Sequence, residues 1–522
     1  MTQSQALSIL KTGANVFLTG EPGSGKTYVV NKYVAYLKER GIEPAVTAST
    51  GIAATHIGGM TIHSWSGIGI KRNLNKYDLD RIASSEYIAK RVRRAKVLII
   101  DEISMLSAET LSMVDAVLRE IRMNQKSFGG LQIVFVGDFF QLPPVFRKSE
   151  ENLEEPVLIP ESRSKFAYDS SAWASANPIV CYLSEQHRQN DDGFVSALAA
   201  IRRNVFGASH MTHLEARKIN RPAPEGTLKL FSHNADVDRI NNEMLDKILG
   251  GAKIFEMTSK GSKPLVEALK RGCLSPERLA LKARAKVMFT KNNLKEGFVN
   301  GTLGEVTGFD AGGYPIVKTR SGRRILVREM EWMVEENGKV RARIAQLPLR
   351  LAWAITVHKS QGMNLDEAVM DLSGVFEYGQ GYVALSRVRS LAGLHLIGWN
   401  NRTFEVHPDV FLKDGPFRSA CEEAEATFGK LSPEELEKIH ENFIKACGGK
   451  NISAHGLKVN KANFEKIREA HPNAYKAWST SDDQKLADLF SSETSVKEMT
   501  KVFGRKIGAI RSRLVKLKLL DE

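Results

Sequence analysis

The chain has 522 residues, 42% of them hydrophobic and 26% charged, with a formal net charge of +14. It is longer than the roughly 250 to 300 residues at which one hydrophobic core stops growing, so two principal domains with appendages are expected, and the composition excludes neither a sizeable core nor a polyanionic partner whose phosphates Lys and Arg would neutralise. No apolar run reaches the roughly 18 residues of a membrane span, and Cys181, Cys273, Cys421 and Cys447 form no C-x-x-C pair. We therefore expect a soluble protein of a reducing compartment, the cytoplasm, without a zinc knuckle or disulfide framework.

Short aliphatic runs alternate with helical patterns along the first part of the chain: Val16 to Leu18, Ala45 to Ala48, Val97 to Ile100 and Ile133 to Val136. Such runs predict buried strands of a parallel sheet. The polar, basic stretch between Ile68 and Ala95 interrupts them and predicts a small projecting insertion whose Lys71, Arg72, Arg91, Arg93 and Arg94 suit either a strand-separating wedge or a solvated face. A second series, from Ile179 through Leu228 to Phe231, Lys286 to Phe289, Ala352 to Thr356, Val369 to Leu372 and Leu394 to Ile397, predicts a second α/β domain. Inside it, Val299 to Ala345 is punctuated by glycine and predicts a small antiparallel insert. The boundaries drawn are residues 1–175 with an insertion at about 66–95, 176–400 with a β-rich insertion at about 295–346, a helical extension or linker over 401–476, and a helix-turn-helix-like end over 477–522. In that end Ile507, Ile510, Leu514 and Leu517 form the apolar stripe, with Arg505, Lys506, Arg511, Arg513, Lys516 and Lys518 mainly off it.

Gly20-Glu-Pro-Gly-Ser-Gly25-Lys26-Thr27 is a full G-x-x-x-x-G-K-T between a strand and a helix. In this setting the backbone N–H groups around Gly20, Gly23, Ser24 and Gly25 wrap phosphates, Lys26 reaches the β and γ phosphates, and Thr27 holds Mg²⁺. Val97-Leu-Ile-Ile-Asp101-Glu102 ends a buried strand in two carboxylates: Asp101 to position the metal, partly through water, and Glu102 to orient and deprotonate the attacking water. Gln141 follows the next strand, where parallel sheets put ligands, and suits a γ-phosphate sensor. Arg188 and Arg387, on the second domain, are the candidates to stabilise the transferring phosphoryl group when a cleft closes.

Taken together these segments resemble superfamily-one helicases, more narrowly the PIF (petite integration frequency) family of DNA helicases, over roughly Gln3 to Trp399. The stretch from Glu109 to Arg122, then Phe128-Gly-Gly and Gly137-Asp-Phe-Phe-Gln-Leu-Pro-Pro144, resembles the family signature region. Thr47 to Ala54 and Thr61-Ile-His63 resemble its strand-contacting motifs; His358-Lys-Ser-Gln-Gly-Met363 and Tyr382-Val-Ala-Leu-Ser-Arg387 resemble its last two motifs. The resemblance implies two RecA-like parallel-sheet domains of the P-loop NTPase class, with small inserts and a helical C-terminal extension. It also implies Mg·ATP as the fuel, 5′-to-3′ translocation on single-stranded DNA, unwinding of forked or structured DNA, and a part in genome maintenance.

By the same resemblance Gln3, with Gln5 as rival, reads the adenine edge, and Gly362 borders the nucleotide. Thr50, Lys359 and Ser360 would contact phosphates, Gly51 is a further DNA-binding candidate, and His63, Phe140, Pro144 and His358 would pack on bases or wedge between them. A working monomer is expected. The competing reading is a nucleotide-switched single-strand binding protein that does not unwind; a ring-forming ATPase is disfavoured because both halves of the engine lie in one chain.

Overall fold

The structure is a computed structural model. It describes the chain except for residues 51–52, 55–59, 70, 72, 145–165, 186–190, 220–226, 292, 294, 299, 320, 337–338, 451–472, 474–477, 493, 506, 518 and 520–522. Two compact units emerge, Met1–Gly448 and Gly449–Glu522.

The first unit is built on two parallel sheets. The strands of the first are β1 (Val16–Gly20), β2 (Ala45–Ala48), β3 (Met60–Thr61), β4 (Val97–Asp101), β5 (Gln132–Val136) and β6 (Ile179–Leu183), in the order β3-β2-β4-β5-β1-β6. Each neighbouring pair runs parallel. β1 and β5 are buried along their whole length, as their mainly apolar sequences suit in a sheet covered on both faces. Strand Ile179–Leu183 corrects one expectation: it pairs with β1, with Gly20 opposite Leu183, and so completes the first sheet instead of opening the second.

The second parallel sheet has four strands in the order Ala354–Thr356, Lys229–Phe231, Ala368–Leu372, Leu394–Trp399. Lys286–Phe289 is not among them. It pairs antiparallel with Leu303–Phe309 and Leu349–Leu351 in a five-stranded sheet. With a three-stranded and a two-stranded sheet, this makes the β-rich insert larger than the glycine-punctuated segment alone, running from Lys253 to Leu351. It has its own core around Val287, Phe289, Phe298 and Val317. The error has a physical source: an apolar run of four residues reads the same in a parallel sheet and in an antiparallel insert.

The basic insertion of the first domain folds as two helices, Lys76–Ala83 and Glu86–Arg94, laid against the long helix Ala108–Arg122. Several of its cations are engaged locally. Lys71 pairs with Asp78 at 2.8 Å, Arg91 donates to the Ser64 carbonyl, and Arg93 donates to the Ile121 carbonyl at 3.1 Å. Arg93 and Arg94 stay exposed, and Arg72 lies outside the described residues.

After the second sheet the chain returns to the first. Helix Pro408–Phe428 covers β6 and inserts Phe417 into an aromatic cluster with Phe17 (5.1 Å), Phe139 (6.2 Å) and Tyr168 (5.9 Å). Helix Pro433–Ala446 packs on the opening helix Gln3–Lys11, where the His440 ring nitrogen Nε2 lies 2.9 Å from the Ser8 carbonyl oxygen. Phe443 sits over Gly13, whose φ of +84° and lack of Cβ leave the ring its place: a Cβ there would come within 2.1 Å. Residues 401–446 thus form a helical extension that belongs to the first compact unit.

Among its described residues the second unit contains three helices, Thr480–Ser491, Val496–Phe503 and Ile507–Lys516, around Leu486, Met499, Phe503, Ile510 and Leu514. Ile510 and Leu514 are buried as the stripe predicts, but Ile507 is exposed.

Candidate nucleotide cleft and strand-binding surface

Parallel pairing brings the carboxyl ends of β1, β4 and β5 side by side, with β5 between the other two. The phosphate loop, the acidic pair and the Gln141 turn follow from those three ends. The loop turns on glycines with positive φ: Gly20 at +146°, Gly23 at +94° and Gly25 at +88°. At Gly25 the reason is also steric, since a Cβ would meet the Gln3 side-chain amide at 2.1 Å. Gln3 Nε2 donates to the Ser24 carbonyl at 3.0 Å, and Gln3 N donates to Glu185 at 2.8 Å. Gln5 is bound into the helix cap of Thr2 at 2.8 Å. Of the two glutamines, Gln3 is the one at the loop.

Lys26 Nζ donates to the carbonyls of Gly20 (2.8 Å) and Glu21 (3.1 Å), which holds the ammonium over the cradle. Ser24 Oγ is buried without a hydrogen-bond partner, an orphan hydroxyl inside a loop of backbone donors, and Thr27 is exposed in the first helical turn. This donor set fits the phosphate groups of a nucleotide.

Glu102 adopts a left-handed conformation, φ 51° and ψ 47°, which is strained for a residue with a side chain. Withdrawal from water, then the neighbouring Asp101 carboxylate, pushes its carboxyl up to about 7, against the pull of Lys26 and Arg387. Burial also raises Asp101, opposed by the Glu102 N–H that it accepts at 2.9 Å and by Lys26. Loop lysine and acidic pair thus share one electrostatic site.

The second lobe closes on that site. Gln361 Nε2 donates to Glu102 Oε2 at 3.1 Å, a contact between residues far apart in sequence. Arg387 is 2% exposed, anchored by its Nε to the Val383 carbonyl at 2.8 Å, and its charge reaches Glu102. Gln141 is buried and donates to Asp138 at 3.4 Å. Arg188 and Gly51 lie outside the described residues. Gly362 is exposed beside Gln361.

The strand-contacting candidates divide. Thr50, His63, His358 and Lys359 are partly exposed. Burial lowers the pKa of both imidazoles, so at neutral pH they suit bases better than phosphates. Lys359 donates to Asn234 at 3.1 Å and is lowered to about 8 by burial and by Arg350. Three expectations are corrected. Ser360 is 0% exposed and its hydroxyl donates to the Val357 carbonyl at 2.7 Å, so it braces the turn. Phe140 is 3% exposed, with the Arg202 guanidinium 4.1 Å above its ring, so it packs inside the protein rather than on a base. Pro144 is buried as well. In the second unit, Arg513 is held by Asp483 through its Nε at 2.6 Å, and Arg505 stacks on Trp478 at 4.2 Å; both serve the unit's own packing.

Sequence reading passed over Gln361, Arg350, Arg202 and Tyr382. Gln361 was within reach, because it lies inside the quoted His358–Met363 motif. Tyr382 likewise heads the quoted Tyr382–Arg387 motif, whereas Arg350 and Arg202 become visible only when separate elements meet.

A phosphate loop, a paired acid and a facing second parallel-sheet lobe that reaches the acid define a two-lobed P-loop nucleoside triphosphatase. The PIF1-like helicase family profile matches residues 3–197. A Psychrobacter ATP-dependent DNA helicase Pif1 is 40% identical over 561 aligned residues, covering 95% of this chain and 81% of the relative. The crystal structure of Pif1 helicase from Candida albicans superposes with a TM-score of 0.70 at 32% identity, covering 79% of this chain and 98% of the other. A Bacteroides Pif1 in complex with ADP-AlF3 and ssDNA gives 0.63 at 28%, covering 80% and 96%. The chain belongs to the PIF1-like helicase family, and its two parallel-sheet lobes are a RecA-like core.

Proposed function

We infer that this protein is an ATP-dependent DNA helicase that moves 5′ to 3′ along single-stranded DNA and forces duplex or structured DNA apart. The observation that carries the reading is the Gln361–Glu102 hydrogen bond at 3.1 Å with Arg387 in electrostatic reach: the catalytic carboxylate is completed by the lobe that must move. Relatives named as ATP-dependent DNA helicases, and a related structure holding ADP-AlF3 and single-stranded DNA, support the fuel and the track.

Lys26 and the loop amides bind the β and γ phosphates of ATP. Glu102 accepts a proton from water as its oxygen bonds the γ-phosphorus, and the bond to the bridging oxygen breaks so that ADP leaves with the electron pair. Gln141 aligns the γ-phosphate, and Arg387 offsets the developing charge from across the cleft. Thr27 and Asp101 supply the hard oxygen donors that suit Mg²⁺. Among the described residues no cluster of three His, Cys, Asp or Glu could hold a metal unaided, so phosphate oxygens would complete the shell. When bound, that ion neutralises phosphate charge.

The working form is a monomer, since both lobes of the cleft belong to one chain. Partly exposed His63 and His358 would lean on bases while Thr50 and Lys359 meet the backbone, a mode that reads little sequence. Strand displacement from duplexes with a 5′ or a 3′ single-stranded tail tests the reading. ATP-dependent displacement of the 5′-tailed substrate alone is expected. Equal displacement of both would refute the polarity, and ATP-dependent binding without displacement would favour the switch.

A further inference from the structure

Beneath the cleft lies a buried ion pair that the mechanism above does not use. Arg202 is 2% exposed and Asp138 0% exposed. Arg202 Nη1 donates to both Asp138 oxygens, at 2.7 and 2.8 Å, and to the Tyr382 hydroxyl at 3.3 Å. Its Nε and Nη2 donate to the Tyr182 hydroxyl at 3.2 and 2.6 Å. The Tyr182 hydroxyl in turn donates to Asp414 Oδ1 at 2.9 Å.

These partners belong to separate elements. Asp138 and Phe140 are in the turn after β5, Tyr182 is in β6, and Tyr382 is in helix Gln380–Leu385, which leads directly into Arg387. Asp138 also accepts from Gln141 Nε2 at 3.4 Å and from the Phe140 N–H at 3.2 Å. A single rigid guanidinium therefore spans the Gln141 turn and the helix that presents Arg387.

Burying an ion pair is costly, and well-packed apolar groups would stabilise the same place as well or better. What a planar five-donor fork adds is geometry, because its bonds are directional and fixed relative to one another. We propose that Arg202 is a positioning residue that, through Asp138, holds Gln141 in its reactive place only while the Tyr382 helix is docked, so that hydrolysis waits for the closed cleft. The proposal rests on the reading of Gln141 as the γ-phosphate sensor. Lobe closure and sensor placement then become one event, and a strand that favours closure accelerates hydrolysis through this pair.

The test uses the full chain with Arg202→Lys, Asp138→Asn, Tyr382→Phe, Gln141→Ala and the Arg202→Lys/Tyr382→Phe double variant. The readouts are strand-stimulated kcat, KM for ATP and thermal melting. Arg202→Lys and Asp138→Asn should lower kcat about tenfold or more with KM within about twofold, the signature of lost transition-state alignment. Tyr382→Phe, which removes one hydroxyl without opening a cavity, should lower kcat about two- to fivefold at an unchanged melting temperature. The double variant should lose no more than Arg202→Lys alone, since both changes break one linkage. Wild-type kcat in folded Arg202→Lys and Tyr382→Phe, or an additive loss in the double variant, overturns the proposal. Where Arg202→Lys does not fold, Tyr382→Phe decides by itself. Full kcat in Gln141→Ala defeats the sensor reading; loss in Gln141→Ala with none in the Arg202 and Tyr382 variants defeats the positioning role only.

Discussion

Glu102 concentrates the conflict between stability and activity. Its carboxyl is held at about 7 in the folded protein against an ordinary 4.5, so between those values the folded state binds a proton that the unfolded chain has released. Stability from this group is complete below about 4.5 and is lost as pH rises through about 7. Activity runs the other way, because the acceptor of the water proton must be ionised. Strand-stimulated kcat/KM for ATP is therefore expected to fall as pH is lowered through about 7. Glu102→Gln should bind ATP, turn over at least about a hundredfold more slowly, and melt above the parent at pH 8, since it removes a buried charge while keeping an acceptor for Gln361. An unchanged pH profile together with normal turnover of the variant would strip Glu102 of its role.

At the scale of elements, the motif-bearing turns were legible because each follows a strand whose aliphatic run is unmistakable. Gly20–Thr27 after β1 and Asp101-Glu102 at the end of β4 stand where sequence places them. Strand Ile179–Leu183 was found but assigned to the wrong sheet, since pairing partners are a long-range property that no local pattern carries. Ser360 and Phe140 failed for a related reason: residue type suggested a contact with DNA, but burial is decided by what folds over them. Helix Pro408–Phe428 was missed as a structural partner because exposed Phe411 and Leu412 and the internal Pro416 blur the stripe that its buried Val410, Phe417, Cys421 and Ala424 form. Its Phe417 touches four aromatic rings of the first lobe. Phe417→Ala should therefore cost about 3 to 5 kcal/mol, read as a lowered denaturation midpoint followed by intrinsic fluorescence. A loss below about 1 kcal/mol would mean that this helix is an ornament.

Over the whole molecule, the division of labour is what makes a motor of a nucleotide-binding fold. The first lobe supplies the phosphate loop, the acids and Gln141, whereas the second supplies Gln361 and Arg387. Neither lobe holds a complete site, so breaking ATP and changing the lobes' grip on a strand are physically linked. The measurement that bears most directly on this claim is single-turnover ATP hydrolysis by Arg387→Ala, with and without single-stranded DNA, alongside equilibrium ATP binding. Binding within about threefold of the parent, with strand-stimulated hydrolysis lowered about a hundredfold or more, is the predicted result. Hydrolysis at the parent rate in the folded variant would contradict the account, because the second lobe would then be dispensable to the chemistry.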